Sequence, residues 1–350
     1  MNFPENPSIA IVGATGAVGR EMLNVLEQRQ FPHGELRLLA SSRSAGNSIS
    51  YRGESLTVQE LTQDSFDGID LALFSAGGSI SKQFAPFAAE RGTIVIDNSS
   101  AFRMAEEVPL IIPEINDDVL DDLDAGGAGG AIIANPNCST IIALMAVTPI
   151  YDAVGIDRMI ISTYQAASGA GAAWMSELEQ QARDFASGKN YSTSVTGRQY
   201  LFNVFSHNSA MGPDGYNQEE TKMVKETHKI WGDDSVGITA TCVRVPVLRA
   251  HCESINLTLR KPLSEDEARE ILANAPGVRV IDDRHANKFP EPVDASGIDE
   301  VLVGRIRADH SQMKGYGLNL FVAGDQLRKG AALNAVQIAE ALRERRAVAV

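Results

Sequence analysis

The sequence is short of several things, and each shortage narrows the answer. Cysteine is scarce: 3 in 350 residues. So low and odd a count excludes a disulfide-built scaffold and points to free thiols in a reducing compartment. No run of about 18 apolar residues occurs, so no transmembrane helix is expected. Met1 to Ser8 is polar and carries two prolines. It lacks the basic-then-apolar design of a secretory signal, and a cytoplasmic location is the expectation. Positive charge is in deficit, with Lys+Arg 31 against Asp+Glu 45 and a net charge of −14. That balance repels nucleic-acid phosphates and anionic lipid, so neither nucleic acid nor membrane is expected as a partner. A small anionic substrate would need a local cluster of positive side chains. No internal repeat is present.

What is there is enough chain for two domains, with 44% hydrophobic residues and 30 glycines. Short apolar runs alternate with helical patterns in the first third. Ser8 to Val12 is followed by an amphipathic stretch from Ala17 to Gln28, then Leu36 to Ala40. Ile69 to Phe74, a helical stretch Ile80 to Glu90, and Thr93 to Ile96 repeat the theme. Such alternation reads as βαβ units and a mostly parallel sheet. The Gly-rich stretch Ala125 to Gly130 reads as a surface loop before the strand Ala131 to Ala134. Beyond Asn135 the strands lengthen, as in Val236 to Val247 and Ser254 to Leu259, and the loops Ser187 to Gly197 and Asn208 to Gln218 are polar. A second, α+β domain with a mixed or antiparallel sheet is expected there. Gly330 to Arg346 has a helical pattern and is placed back on the first domain.

Gly13-Ala14-Thr15-Gly16-Ala17-Val18-Gly19 joins the first strand to the first helix. Glycines at that turn let backbone approach a pyrophosphate, with helix N-terminal N–H groups facing the anion. An NAD-preferring site places an acid after the second strand. Here Ser41-Ser42-Arg43-Ser44 follows, which suits a 2′-phosphate, so NADP is expected over NAD. Short-chain dehydrogenases are excluded, because none of the 7 tyrosines has a lysine four residues on.

Asn135-Pro136-Asn137-Cys138-Ser139-Thr140 precedes an apolar run. Pro136 and Asn137 are helix-start residues, which puts Cys138 in a first helical turn. There the helix dipole and free N–H groups favour thiolate and can stabilise an oxyanion. Cys242 and Cys252 read as structural. With His251 they lack a second ligand pair, so no metal is expected. Arg103 and Arg244 suit bidentate recognition of anionic groups. Gln218 to Lys229 reads as a charged, solvated helix on which Glu219 and Lys222 share a face.

These motifs resemble those of aspartate-semialdehyde dehydrogenases. The resemblance extends through Phe74 to Gly78, Val95 to Arg103, Asn135 to Thr140, Ser162 to Gly171 and Arg244 to His251. It implies an α/β fold: a Rossmann-type NADP-binding domain over 1–136 and 328–350, and an α+β catalytic and dimerisation domain with a mixed sheet over 137–327. It implies an NADP-dependent phosphorylating aldehyde dehydrogenase that interconverts L-aspartyl 4-phosphate and L-aspartate 4-semialdehyde plus phosphate. That step leads to lysine (through diaminopimelate), threonine, methionine and isoleucine. Cys138 is then the nucleophile, passing through a thioester, His251 the general acid/base, and Gln165 the residue that orients the acyl group. Arg244 and Glu219 would hold the amino-acid end of the substrate; Arg103, Lys222 and Asn137 would hold the phosphate. Gly13, Thr15, Gly16, Ala17, Val18, Ser41, Arg43, Ser44, Ser168, Gly169 and Gln326 would bind the cofactor. A homodimer or homotetramer is implied. N-acetyl-glutamyl-phosphate reductases share the chemistry, but their nucleophile motif resembles Asn-Pro-Gly-Cys-Tyr, not Asn137-Cys138-Ser139. A non-catalytic NADP-binding regulator would need none of Cys138, Gln165, His251, Arg103 and Arg244 together.

Overall fold

A computed structural model describes residues 3–123 and 130–348. The Gly-rich stretch expected as a surface loop lies outside the described residues, Gly130 excepted. The chain folds as two units, Met1–Asn137 with Ala331–Val350, and Cys138–Gly330.

The first unit runs β1 (Ile9–Val12), α1 (Ala17–Gln28), β2 (Leu36–Ala40), β3 (Ser48–Tyr51), β4 (Glu54–Thr57), β5 (Gln59–Glu60), β6 (Leu71–Phe74), α2 (Gly78–Glu90), β7 (Ile94–Asp97), α3 (Pro113–Asn116) and β8 (Ala131–Ala134). Its six-stranded sheet has the order β5-β2-β1-β6-β7-β8, and every pair in it is parallel. Strands buried on both faces need apolar residues at every position, which is why β1 reads Ile-Ala-Ile-Val. Ile9 and Ile11 pack with Met22, Val25 and Leu26 of α1. Ala10 and Val12 point the other way, into a cluster with Phe84, Ala85 and Ala88 of α2. Each fully buried Leu, Ile or Val contributes about 1.5–3 kcal/mol. The order reverses at β1, between β2 and β6. Parallel sheets bind ligands at such a switch point, beyond the carboxyl ends of the strands.

The second unit contains α4 (Cys138–Val154), β9 (Ile156–Gln165), α5 (Ala172–Ala186), β10 (Phe205–Ser206), α6 (Gln218–Trp231), β11 (Gly237–Arg244), β12 (His251–Leu259), α7 (Glu265–Ala273), β13 (Val278–Val280), α8 (Pro292–Ala295), β14 (Val301–Ala308) and β15 (Gly317–Gly324). Its seven-stranded sheet, β10-β11-β9-β12-β15-β14-β13, is mixed: β11 is parallel to β9, and β12 is antiparallel to both β9 and β15. α4 is apolar on all sides, and Ile141 to Val147 are buried, as a fully enclosed helix requires. The opposite sheet face is half-exposed. There Tyr164, 39% exposed, lies with its ring centroid 6.2 Å from that of Phe321. The chain ends in α9 (Leu333–Val348), whose Leu333, Val336 and Ile338 join the core of the first unit beside α1.

Candidate active site

In the first unit, the glycine loop is shaped by close backbone approach. Gly13 has φ +89°, and a Cβ there would lie 2.4 Å from the Ser75 carbonyl oxygen. A Cβ on Gly19 would lie 2.3 Å from the Gly13 oxygen. Only glycine fits either position. Gly16 caps α1 without a side-chain bond, so the first N–H groups of α1, at Ala17 and Val18, are left for an external anion. Thr15 is half-buried in this loop, and the turn after β2 exposes Ser41 and Arg43, with Ser44 half-buried. The backbone cradle fits the pyrophosphate of a dinucleotide.

The same unit holds Arg103 almost fully buried. Its Nε donates to the Asn135 carbonyl at 2.9 Å and an Nη to the Asn98 carbonyl at 2.9 Å. Asn135 is fixed in turn by Asn98 and Asn334, at 2.7 and 2.6 Å. Asn137, also buried, belongs to this unit.

The remaining site residues belong to the second unit. Cys138 is the first residue of α4 and is half-buried. A Cβ on Gly330 would lie 2.9 Å from the Cys138 Cβ, so the Gly330 backbone passes directly against it. Next to Cys138, the Ser139 hydroxyl accepts from Gln165 Nε2 at 2.9 Å. The same nitrogen lies 3.3 Å from Glu219 Oε1, and the other oxygen of Glu219 binds Lys222 Nζ at 3.1 Å. The expected solvated helix is therefore corrected. Glu219, Glu220 and Glu226 of α6 are all buried, because α6 packs on α4 and β11 and turns that face inward.

Gln165 and Arg244 are direct partners at the ends of β9 and β11. Arg244 is 2% exposed. Its Nε donates to Asn208 Oδ1 at 3.0 Å, one Nη to the Ala166 carbonyl at 3.0 Å, and the other to His207 Nε2 at 2.8 Å. The guanidinium also lies 5.7 Å from the centre of the Trp174 ring. Burial lowers the pKa of Arg244; Tyr200, Glu219 and Cys138 act in the opposite sense.

His251, wholly buried at the start of β12, accepts the Ala166 N–H on Nδ1 at 3.0 Å. A neutral ring that accepts at Nδ1 carries its proton on Nε2. That Nε2 is buried and has no hydrogen-bond partner among the described residues. A Cβ on Gly169 would lie 2.9 Å from it and 3.0 Å from an Arg244 Nη, so the Gly169 backbone faces both groups. Burial, then the Arg244 charge, hold the His251 pKa well below its ordinary value. The ring is thus held as the neutral tautomer with its proton on Nε2. Its Nδ1 cannot take a proton without breaking the Ala166 bond.

Three groups here were missed in the sequence: His207, Asn208 and Trp174. Nothing local marks them. His207 and Asn208 follow a two-residue strand that pairs antiparallel with the end of β11, and only that pairing brings them to Arg244. Gln326, expected at the cofactor, donates through Nε2 to Ser168 Oγ and accepts the Ala250 N–H at 2.9 Å. Cys242 and Cys252 are buried, and the thiol of Cys252 is pushed up to about 12, chiefly by that burial.

Two family models match the chain: the semialdehyde dehydrogenase NAD binding domain at residues 8–123 and the semialdehyde dehydrogenase dimerisation domain at 147–329. An aspartate-semialdehyde dehydrogenase of Synechocystis is 49% identical over 343 residues, 98% of this chain and 99% of its own. One of Aquifex aeolicus is 51% identical over 336 residues, 95% of this chain and 97% of its own. The crystal structure of aspartate semialdehyde dehydrogenase II of Vibrio cholerae, complexed with ASA, superposes with a TM-score of 0.91 at 44% identity, covering 97% of this chain and 98% of that one.

Proposed function

The chain belongs to the aspartate-semialdehyde dehydrogenase family, and from that premise we propose how its own residues carry the reaction. The enzyme interconverts L-aspartyl 4-phosphate and L-aspartate 4-semialdehyde plus phosphate, the step before the branches to lysine, threonine, methionine and isoleucine. An acyl phosphate is a poor direct hydride acceptor, so a covalent thioester divides one hard step into two. Cys138 attacks the acyl carbon as thiolate, the carbon–oxygen bond to phosphate breaks, and phosphate leaves. A bound nicotinamide dinucleotide would supply the hydride; as the acyl carbon takes it, the C–S bond breaks, the aldehyde is released and Cys138 returns to thiolate. His251 meets the negative oxygen that develops at the acyl carbon with its Nε2–H, the acid half of the acid–base role. Gln165, fixed by Ser139 and Glu219, orients the acyl group. Arg244 and Glu219 hold the carboxylate and ammonium of the substrate. Arg103, Asn137 and Lys222 receive the phosphate.

A nicotinamide dinucleotide is the cofactor of the family's NAD binding domain. We assign NADP specifically, because the turn after β2 offers Ser41, Arg43 and Ser44 and no carboxylate. Gly13, Thr15, Gly16, Ala17 and Val18 hold its pyrophosphate, and Ser168 and Gly169 line the nicotinamide. The half-exposed face around Tyr164 and Phe321 is assigned to a second copy in a homodimer, or in a tetramer built from it. Among the described residues no helix is long and apolar enough to cross a membrane; a cytoplasmic location fits the three free thiols.

The observation that carries this reading is the buried Nε2 of His251, without a hydrogen-bond partner among the described residues, beside Arg244 and the Gly169 backbone. The test is nicotinamide absorbance with NADP and L-aspartate 4-semialdehyde. Reduction should require inorganic phosphate for steady turnover. Equal turnover without phosphate would overturn the phosphorylating mechanism.

A further inference from the structure

Ala250 has φ +71°, the left-handed region that a residue with a Cβ avoids. Five other non-glycine residues among the described ones share a positive φ: Gln30, Arg52, Phe202, Asn287 and Arg305. All five are exposed, whereas Ala250 is wholly buried and immediately precedes His251. Strained backbone inside a protein persists only where its surroundings over-determine it.

Two consecutive residues past the end of β15 do so. Asp325 Oδ2 accepts Arg249 Nε at 2.7 Å and the Gly297 N–H at 2.6 Å. Its Oδ1 accepts the Leu327 N–H at 2.9 Å. Gln326 Oε1 accepts the Ala250 N–H at 2.9 Å, while Nε2 donates to Ser168 Oγ. The backbone closes the frame, for Ser168 N–H donates to the Leu248 carbonyl at 3.0 Å and Ala167 N–H to the Val247 carbonyl at 2.8 Å. Asp325 thus fixes Arg249, Gln326 fixes Ala250, and the next residue is the histidine whose ring Ala166 has already oriented.

We propose that Gln326 is a positioning residue for the reaction: its amide, bonded at one end to Ala250 and at the other to Ser168, holds the left-handed turn that aims His251 Nε2 at the reacting oxygen. This rests on the role of His251 given above. The Gln326 role is additional to the cofactor contact that the resemblance implies: with one protein partner on each polar atom, the amide keeps a second N–H and a second lone pair for a ligand.

Three variants test it. Gln326→Leu removes both bonds. It should lower kcat, measured at saturating substrate and saturating NADP, by about tenfold or more, a loss that weaker cofactor binding alone would not give. Gln326→Glu keeps an acceptor for Ala250 and loses the N–H given to Ser168. It should fold and retain more of kcat than the leucine variant. Adding Ala250→Gly to Gln326→Leu should restore part of kcat, because glycine takes φ +71° without help. An NADPH Kd, from nicotinamide fluorescence, raised about tenfold with kcat unchanged would make Gln326 a cofactor ligand only and overturn the proposal. So would a double variant no faster than Gln326→Leu alone. His251→Asn separates the two readings: if it turns over normally, the assignment of His251 fails, whatever Gln326 does.

Discussion

His251 and Arg244 are fastened to opposite ends of one residue. The Ala166 N–H reaches His251 Nδ1 at 3.0 Å, and the Ala166 carbonyl receives an Arg244 Nη at 3.0 Å. The imidazole and the guanidinium therefore share a fixed spacing, set by the residue that follows β9. The consequences can be checked one at a time.

Gly169→Ala should damage catalysis more than folding. Its Cβ would sit 2.9 Å from His251 Nε2 and 3.0 Å from an Arg244 Nη, so those side chains must shift. A shift of this size should cost about tenfold or more in kcat/KM. Thermal unfolding should change little. Normal kinetics would mean that this backbone does not border the reacting atoms.

Gly13→Ala should damage the first unit itself. The residue would carry a positive φ and place a Cβ 2.4 Å from a carbonyl oxygen. A loss of about 1–3 kcal/mol in unfolding free energy is expected, together with weaker NADP binding by fluorescence titration.

The two buried histidines tie stability to pH. Burial first, with Arg244 and Lys222 adding and Glu219 opposing, holds His207 down to about 4. Burial and Arg244 hold His251 well below its ordinary value. An unfolded histidine titrates near ~6.5. The folded chain thus binds fewer protons, so these groups contribute stability that is present above ~6.5 and lost as pH falls through the folded values. Glu253 has the opposite sign. Buried, with no partner for either oxygen among the described residues, it is raised well above its ordinary value, chiefly by desolvation. Its contribution is present below ~4.5 and is lost as pH rises. Denaturant midpoints between pH 7 and 4 should show a shallower acid loss in His207→Gln, by at most about 1.4 kcal/mol per pH unit. Parallel curves for the two proteins would contradict the assignment.

Iodoacetamide should label native Cys138 before the other thiols. Cys138 is half-buried at a helix start, whereas Cys242 and Cys252 are buried and pushed up by desolvation. Peptide mapping after brief exposure reads this directly. Equal labelling of all three would contradict an accessible nucleophile.

Legibility of the sequence followed the range of the interactions. α1, β2 and β8 match their sequence boundaries residue for residue, because each is written in local periodicity and punctuated by its own turns. The hairpin β3–β4 was not read. Its strands are half polar, although the turn at Arg52 and Gly53, with φ 49° and 81°, carries a hairpin signature. The inward acids of α6 were read as solvated, since a helix of that composition is normally exposed and only its packing on α4 and β11 decides otherwise. Cys138, Arg244 and His251 could be named from motifs. Their geometry could not, because the tautomer of His251 depends on Ala166, eighty-five residues earlier in the chain.

The most direct measurement is chemical. The enzyme, given NADP and L-aspartate 4-semialdehyde with phosphate withheld, is quenched in acid and mapped by mass spectrometry. An aspartyl group should be found in thioester linkage on the peptide that contains Cys138, and phosphate added before the quench should remove it. A peptide that stays unmodified while NADP is reduced, or an acyl group on Cys242 or Cys252 instead, would contradict the account.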